Sequence, residues 1–262
     1  RSDRMAKYNQ LLRIDFGFKN KYTHYELGYD EVMKEKQNYT RYGGVSISYA
    51  DGDASYSRGS GDNHSRAMNF YVTEMGNKGH YLDVVLRFHH IDTNFKMFDE
   101  NGKKIRGDMH NVGISLSSEY GRKKMIDDKG WYIEPQGQLT IGYLGGDNYT
   151  TSNGIAVRQG GIRSALGRIG FNLGKDIDEK TNIYLKANLL HEFGGGYHAA
   201  MTDSSGSRIK IDRSFKDTWF EYGIGAAIQT GTNNHVYLDF ERSAGGDFKK
   251  DWSWNVGARW TF

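Results

Sequence analysis

The feature that most constrains this chain is a regular alternation of apolar and polar side chains, clearest over residues 252–262. One set of alternate positions is apolar: Trp252, Trp254, Val256, Ala258, Trp260 and Phe262. The other set is Ser253, Asn255, Gly257, Arg259 and Thr261. Because successive side chains of a strand point to opposite faces, this pattern predicts a strand with one apolar and one polar face. A strand of a soluble sandwich would look the same, so this segment alone leaves both alternatives open.

Repetition of the pattern favours a membrane barrel. Comparable segments are 11–19, 23–33, 41–50, 66–74, 80–90, 109–120, 131–143, 162–173, 181–193, 216–229 and 234–242. Most are near the 9–11 residues with which a tilted strand crosses a bilayer. With the last segment, they predict an all-β protein: a transmembrane antiparallel β-barrel of about twelve strands, an even number as in bacterial outer-membrane barrels.

The composition agrees with this fold class. The chain has 34 Gly, 18 Tyr, 13 Phe and 5 Trp, one Pro and no Cys. No stretch approaches the roughly 18 apolar residues of a membrane helix, so a helical membrane protein is excluded. The absence of Cys removes disulfide and thiolate chemistry. A net charge of +3 gives no argument for a nucleic-acid partner, and we expect none.

The lengths of the gaps predict the orientation. Long gaps at 51–65, 91–108, 144–160 and 194–215 alternate with short ones at 75–79, 121–130, 174–180 and 230–233. Bacterial barrels have long outer loops and short periplasmic turns, so the last strand is expected to end on the periplasmic side. The gaps at 20–22 and 244–250 are short for outer loops.

The N-terminal residues do not alternate. Ser2 or Asp3 is suited to cap a short helix through Gln10, and a frayed terminus is the alternative. We therefore divide the chain into residues 1–10, a linker or the remnant of a lumen helix, and residues 11–262, the barrel. No leader-like segment begins at Arg1, so we expect a mature piece whose export signal lies upstream.

The last strand carries a further motif. Asn255, Gly257, Trp260 and Phe262 have the spacing Asn-x-Gly-x-x-Trp-x-Phe. This resembles the outer-membrane β-signal that the barrel-assembly machinery reads. An amphipathic strand with aromatic anchors can pair edge-to-edge with such a machine before the barrel closes. The alternative is an ordinary strand that ends in Phe.

Several ordered segments resemble the C-terminal translocator domain of classical (type Va) autotransporters. They are Trp131–Leu139 with its Glu-Pro-Gln, Leu166–Gly170 with Gly-Arg-x-Gly, Leu190–Phe193, Tyr222–Gly225 and Asp239–Ser243, preceded by Leu27–Asp30 and Asp51–Ala54. Family members usually carry a lumen helix and a generous first outer loop, which here would be compressed into residues 1–22.

The resemblance implies a function. It implies a domain of the cell outer membrane that supports secretion of an N-terminal passenger, is not an enzyme and needs no cofactor. Its implied partners are its own passenger domain, the barrel-assembly machinery, and outer-membrane lipid and lipopolysaccharide, and we expect a monomer. A stand-alone twelve-stranded channel or porin for small anionic solutes is the alternative, with interior cations along its path.

The polar faces predict a wet lumen. The candidate lumen-lining residues are Arg13, Asp15, Glu26, Arg87, Glu134, Gln136, Arg168, Lys186, Glu221, Asp239, Glu241 and Arg259. An interior acid beside an Arg stays ionised and fills or organises the lumen. Some autotransporters release their passenger by self-cleavage with lumen acids, but no residue here is assigned to that role.

A cluster of His residues marks the outer end of one strand. His89, His90 and Asp92 would supply the catalytic group of an outer-membrane hydrolase, or simply polarity at the barrel rim. Tandem His residues point to opposite faces, and the sequence singles out no nucleophile, so we expect rim polarity. His191, Glu192 and His198 lack metal-ligand spacing, and no metal site is expected.

Overall fold

A computed structural model describes residues 8–17, 22–56, 59–98, 102–214, 216–231, 234–245 and 252–261. All regular structure in these ranges is β, and none of these residues forms a helix long and apolar enough to cross a membrane. The strands are β1 Tyr8–Gly17, β2 Tyr22–Glu35, β3 Tyr39–Tyr56, β4 Gly59–Gly76, β5 His80–Phe98, β6 Lys104–Arg122, β7 Lys124–Met125, β8 Trp131–Leu144, β9 Asp147–Thr150, β10 Ala156–Gln159, β11 Ile162–Asp176, β12 Thr181–Glu192, β13 Gly196–Thr202, β14 Arg208–Ser214, β15 Asp217–Gln229, β16 His235–Ala244 and β17 Trp252–Thr261.

Twelve of these strands form a closed antiparallel barrel. Their order around the wall is β1-β2-β3-β4-β5-β6-β8-β11-β12-β15-β16-β17, and β17 pairs with β1 from Asn9↔Thr261 to Gly17↔Ser253. An even number lets the first and last strands meet antiparallel. Closure leaves these strands no unpaired edge, as a backbone in lipid requires. The predicted fold class and strand count are confirmed.

The distribution of side chains is the reverse of that in a soluble protein. Large exposed side chains are apolar and alternate along each strand, as Tyr25, Leu27 and Tyr29 do on β2. The buried set is mainly polar and includes Asp30 and Asn69. Water-facing residues therefore lie inside and lipid-facing residues outside. We call the outward apolar belt the lipid band; it runs from Leu82 to Phe88 on β5 and from Val112 to Tyr120 on β6.

The expected long loops at 51–65 and 91–108 are wrong. β3, β4, β5 and β6 are 18 or 19 residues long and continue through most of both segments. Beyond the bilayer neither face of a strand meets lipid, so the apolar alternation ends although the hydrogen-bond ladder does not. The gaps 144–160 and 194–215 contain a second sheet, ordered β14-β13-β10-β9.

The N-terminal expectation also needs correction. β1 begins at Tyr8 and ends at Gly17, whereas the sequence pattern placed the first strand at 11–19. A helix through Gln10 is therefore wrong for Tyr8–Gln10, because all three residues pair with β2 and Asn9 and Gln10 also pair with β17. Residues 1–7, where that helix would begin, lie outside the described residues.

Candidate functional site in the barrel lumen

Two glycines of β15 leave space for side chains of the neighbouring strand to lie across the inner surface of the barrel. A Cβ at Gly223 would overlap the carbonyl of Phe240 and lie 3.1 Å from the Cε of Lys186. A Cβ at Gly225 would overlap the ring of Tyr184. The side chains of Lys186 and Tyr184 thus pass from β12 over β15 to β16. This explains the Tyr-Gly-x-Gly spacing at 222–225.

The group that they reach joins three predicted lumen residues to the terminal strand. Lys186 Nζ lies 3.3 Å from Asp239 and in closer contact with Glu241, and the three side chains are only 12%, 12% and 17% exposed. Tyr184 donates to Asp239 at 3.3 Å. The Asn255 amide donates to Asp239 at 2.6 Å and to Glu241 at 3.4 Å. We call Lys186, Asp239, Glu241 and Asn255 the seam cluster, since it lies beside the strand that closes the barrel.

A second cluster centres on Arg168 of β11. Its guanidinium donates to four acceptors: Gln138 at 2.9 Å, Gln136 at 3.0 Å, Asn188 at 2.7 Å and, in a short ion pair, Glu119. Gln136 in turn donates to Glu134 at 2.7 Å. A Cβ at Gly170 would overlap the amide of Asn188, so the Gly-Arg-x-Gly spacing makes room for this bond. The Glu-Pro-Gln and Gly-Arg-x-Gly segments therefore meet in one site.

A third cluster ties the terminal strand to the first strands. Arg259 of β17 reaches across β1 to pair with Asp30 of β2, whose side chain is fully buried. Tyr71 of β4 also donates to Asp30, at 2.8 Å. Gly44 of β3 allows this approach, because a Cβ there would lie 2.5 Å from both Asp30 and Tyr71. The sequence predicted Arg259 as a lumen residue but could not show that Asp30 is its partner.

A fourth polar chain crosses β2 to β5. Arg87 donates to Asn69 at 2.7 Å, and Asn69 donates to Ser46 at 3.0 Å. Ser46 donates to Glu26 at 2.8 Å. Arg87 and Glu26 are thus connected through uncharged groups. Asn69 and Ser46 are each 2% exposed, so this part of the inner wall is tightly packed.

The remaining lumen candidates are less connected. Glu221 accepts a bond from Trp219 Nε1 at 3.4 Å, within its own strand. Arg13 pairs along the backbone with Glu26 and Gly257, and Asp15 with His24 and Asn255. The side chains of Arg13 and Asp15 lie outside the described residues. The structure therefore brings Lys186, Asp239 and Glu241 together and leaves Glu221 apart.

Two residues of the terminal strand, Asn255 and Gly257, contact side chains of β16. Asn255 belongs to the seam cluster, and Gly257 lies beneath the ring of Tyr237 on β16, where a Cβ would overlap the ring. Trp260 lies on the opposite, outward face of this strand. Phe262 lies outside the described residues. The Tyr237–Gly257 contact was not predicted, because it depends on the register of β16 against β17.

The His residues at the outer rim divide between the two faces. His89 points inward and packs over Gly113, whereas His90 points outward beside Val112. Their side chains therefore do not face one substrate as a pair. His110, which sequence reasoning did not single out, faces outward next to Asp92.

The lumen charges are arranged to hold the wall together. In the three clusters with ion pairs, each cation is matched by a carboxylate from a strand that is not its hydrogen-bonded neighbour. A buried charge is tolerated only when it is paired and hydrogen-bonded in this way. The inner wall is therefore polar enough to hold water, with its ionic groups engaged in structural contacts.

Comparison with known proteins agrees with this architecture. Residues 14–241 match the family model of the autotransporter beta-domain. The chain is 31% identical over 251 residues to the pertactin autotransporter of Bordetella parapertussis. That match covers 94% of this chain and 26% of the relative, so the chain spans about a quarter of the length of that protein.

Solved structures share the fold. The beta domain of the Bordetella autotransporter BrkA superposes with a TM-score of 0.75 at 22% identity, covering 98% of this chain and 99% of that one. The translocator domain of NalP from Neisseria meningitidis gives a TM-score of 0.70 at 11% identity, covering 100% and 90%. With its family match and its closed wall of lipid-facing strands, the chain belongs to the autotransporter beta-domain family, a family of outer-membrane β-barrels whose role is transport.

Proposed function

We propose that this barrel inserts in the outer membrane and supports passage of an N-terminal passenger to the cell surface. The observation that carries the proposal is the closed twelve-stranded wall, apolar outside and polar inside. A barrel of this size is wider than the eight-stranded type filled by its own side chains and narrower than a porin. Its lumen is suited to one helix or extended segment.

This proposal assigns different roles to the barrel and to the residues that precede it. The barrel begins at Tyr8, the first residue of β1, rather than at residue 11, and the residues before Tyr8 lead from it towards the passenger. The passenger is the principal partner, and the barrel acts as a monomer in outer-membrane lipid and lipopolysaccharide. The domain itself is not an enzyme: the paired lumen charges hold strands together and need no cofactor.

Insertion would depend on the terminal strand. Asn255, Gly257, Trp260 and Phe262 would be read by the barrel-assembly machinery before β17 pairs with β1. The positions of Asn255, Gly257 and Trp260 on the two faces of β17 support this role. Asn255 and Gly257 already have partners on β16, and Trp260 faces outward, where an aromatic anchor is useful at the membrane interface. Recognition and barrel closure would therefore use the same strand.

The alternative is a stand-alone channel for small anions. The cations Arg87, Arg168 and Lys186 in the lumen favour it, but each is engaged by a neighbouring acid or amide. Single-channel conductance separates the two functions. A translocator should conduct differently when residues 1–7, which precede β1, are deleted or when a longer upstream segment occupies the lumen. A large conductance that no upstream segment changes would contradict the proposal and favour the porin.

A further inference from the structure

The outer face of the β5–β6 hairpin holds a group of side chains that the translocator function does not use. His90 and Asp92 are two residues apart on β5 and therefore share a face, and Asp92 is the direct cross-strand partner of His110 on β6. All three point away from the lumen. They lie just beyond Phe88 and Val112, where the lipid band ends.

These three residues present a compact set of metal-ligand atoms. One ligand atom from each lies within 4.8 Å of the other two. His90 Nδ1 is 3.6 Å from Asp92 Oδ1, and His110 Nδ1 makes a short contact with the same oxygen. In a tetrahedral site with metal–ligand bonds of about 2.0–2.1 Å, ligand atoms are separated by roughly 3.3 Å. The His90–Asp92 spacing is therefore close to that of a formed site.

The two imidazole rings are already aligned. Their centroids are 6.1 Å apart and their planes differ by 21°, so both rings stand on the same patch of the wall. The side chain of His110 is 61% exposed, which leaves it free to swing by the small amount that an ion between it and Asp92 requires. Asp147 holds the backbone of this residue, accepting from the His110 N–H at 2.7 Å.

The donor set determines the class of ion. Two neutral imidazoles and one carboxylate suit borderline transition metals such as Zn²⁺ and Cu²⁺, whereas Mg²⁺ and Ca²⁺ prefer all-oxygen sites. Three protein ligands leave at least one coordination position for water. The positive charge of Arg66, the cross-strand neighbour of His90, disfavours binding of a cation. The negative charges of Asp92 and Asp147 favour it.

We propose that His90, Asp92 and His110 form a surface site for a Zn²⁺-class ion, which clips the outer ends of β5 and β6 together. This inference is independent of the proposed secretion function, since it concerns the outside of the wall. Sequence reasoning missed the site because one ligand comes from a second strand. Only the Asp92↔His110 register brings it within reach.

The chain offers matched controls. His64 with Asp51 and His198 with Asp212 are likewise His–carboxylate pairs. Among the described residues, only His90, Asp92 and His110 place three potential ligand atoms within 4.8 Å of one another. Replacement of His198 thus removes an exposed His–Asp pair without touching the proposed site. His198→Gln is the control for His90→Gln and His110→Gln.

The test is titration of the untagged, folded 262-residue chain in detergent micelles with ZnCl₂, followed by calorimetry. We expect about one equivalent bound by the wild type and by His198→Gln. His90→Gln and His110→Gln should each weaken the binding at least about tenfold, as loss of a ligand does. A heat-shifted gel mobility confirms that each variant is folded before titration.

A second readout identifies the ligands directly. With Cu²⁺ as the probe, electron paramagnetic resonance of the wild type should show hyperfine splitting from two imidazole nitrogens, reduced to one in His110→Gln. The proposal is overturned if folded wild type shows no saturable Zn²⁺ binding below about 1 mM, the weak end of protein–metal affinities. It is equally overturned if His90→Gln, His110→Gln and Asp92→Asn all bind as the wild type does.

Discussion

Asn255 of the terminal strand donates its amide to Asp239 of the preceding strand at 2.6 Å, inside the barrel wall. Both residues are buried, at 5% and 8% exposure of the whole residue. The residue that the β-signal spacing singled out is therefore also part of the charge network that includes Lys186 and Glu241. Under the proposed β-signal, Asn255 would serve both assembly of the closing strand and the stability of the folded wall.

Replacement of Asn255 by Leu should destabilise the folded barrel. The change keeps the approximate size but removes the amide donor of Asp239, which keeps Tyr184 and Lys186 as partners, and loss of a hydrogen bond to a charged group costs about 1.5–3 kcal/mol. Urea titration of the refolded barrel, followed by heat-modifiable gel mobility, measures the change. Asn94→Leu, at an exposed position of β5, is the control and should shift the midpoint much less. Equal shifts for the two variants would show that the Asn255–Asp239 bond contributes nothing.

Gly257→Ala should slow assembly and lower stability. The added methyl group would overlap the ring of Tyr237, and overpacking of this kind costs about 1–3 kcal/mol. Gly137→Ala is a matched control, because a Cβ there meets nothing within 4 Å. Pulse-labelled cells report the rate at which heat-modifiable barrel appears. The double change Gly257→Ala with Tyr237→Ala should restore part of the loss, and no restoration would argue against the ring contact as the cause.

Replacement of Trp260 and Phe262 by Ser should reduce the amount of barrel in the outer membrane. The two aromatic residues of the motif would be lost while the lumen-facing residues of the last strand stay. Trp252→Ser is the control, because Trp252 is on the same face of β17, is 50% exposed and lies outside the motif. Fractionation of the membranes gives the measurement. Normal levels of folded barrel in the Trp260/Phe262 variant would contradict the β-signal assignment.

The turn between β11 and β12 should respond to acid. The backbone N–H groups of Lys180 and Thr181 donate to Asp178 at 2.7 Å each and hold the pKa of that carboxyl below its usual 3.8. A carboxyl whose pKa falls on folding stabilises the fold above its unfolded pKa, and this contribution is lost as the pH falls through the folded value. NMR of the Lys180 and Thr181 amides should therefore show a midpoint below 3.8. A midpoint at or above 3.8 would show that the two backbone N–H groups do not stabilise the charged form of Asp178.

The sequence predicted the barrel well because lipid imposes a strong pattern. All twelve wall strands correspond to alternating segments, and the pairing of apolar with polar faces at 131–143 and 234–242 is confirmed by the exposed Leu139, Ile141 and Leu238. Where strands leave the bilayer, both faces meet water and the pattern ends. The outer halves of β3 to β6 therefore looked like loops.

Contacts between side chains of different strands could not be predicted from the sequence. The polar face of β12 predicts that Lys186 faces the lumen, but its contact with Glu241 requires the register of β15 and the gap at Gly223. The same holds for Arg259 with Asp30 and for His110 with Asp92. The alternation within a strand predicts which face of the sheet a side chain lies on. Which side chain it contacts depends on the register between strands, which the alternation does not give.

The most direct test of the central claim is surface display. A signal peptide and an epitope-tagged, β-rich passenger are fused ahead of Arg1, and the fusion is expressed in a Gram-negative host. We expect antibody to label the tag on intact cells as strongly as on permeabilised cells, with the barrel heat-modifiable in the outer membrane. A barrel that is folded and inserted at normal levels, with a tag that is labelled only after permeabilisation, would contradict the translocator function.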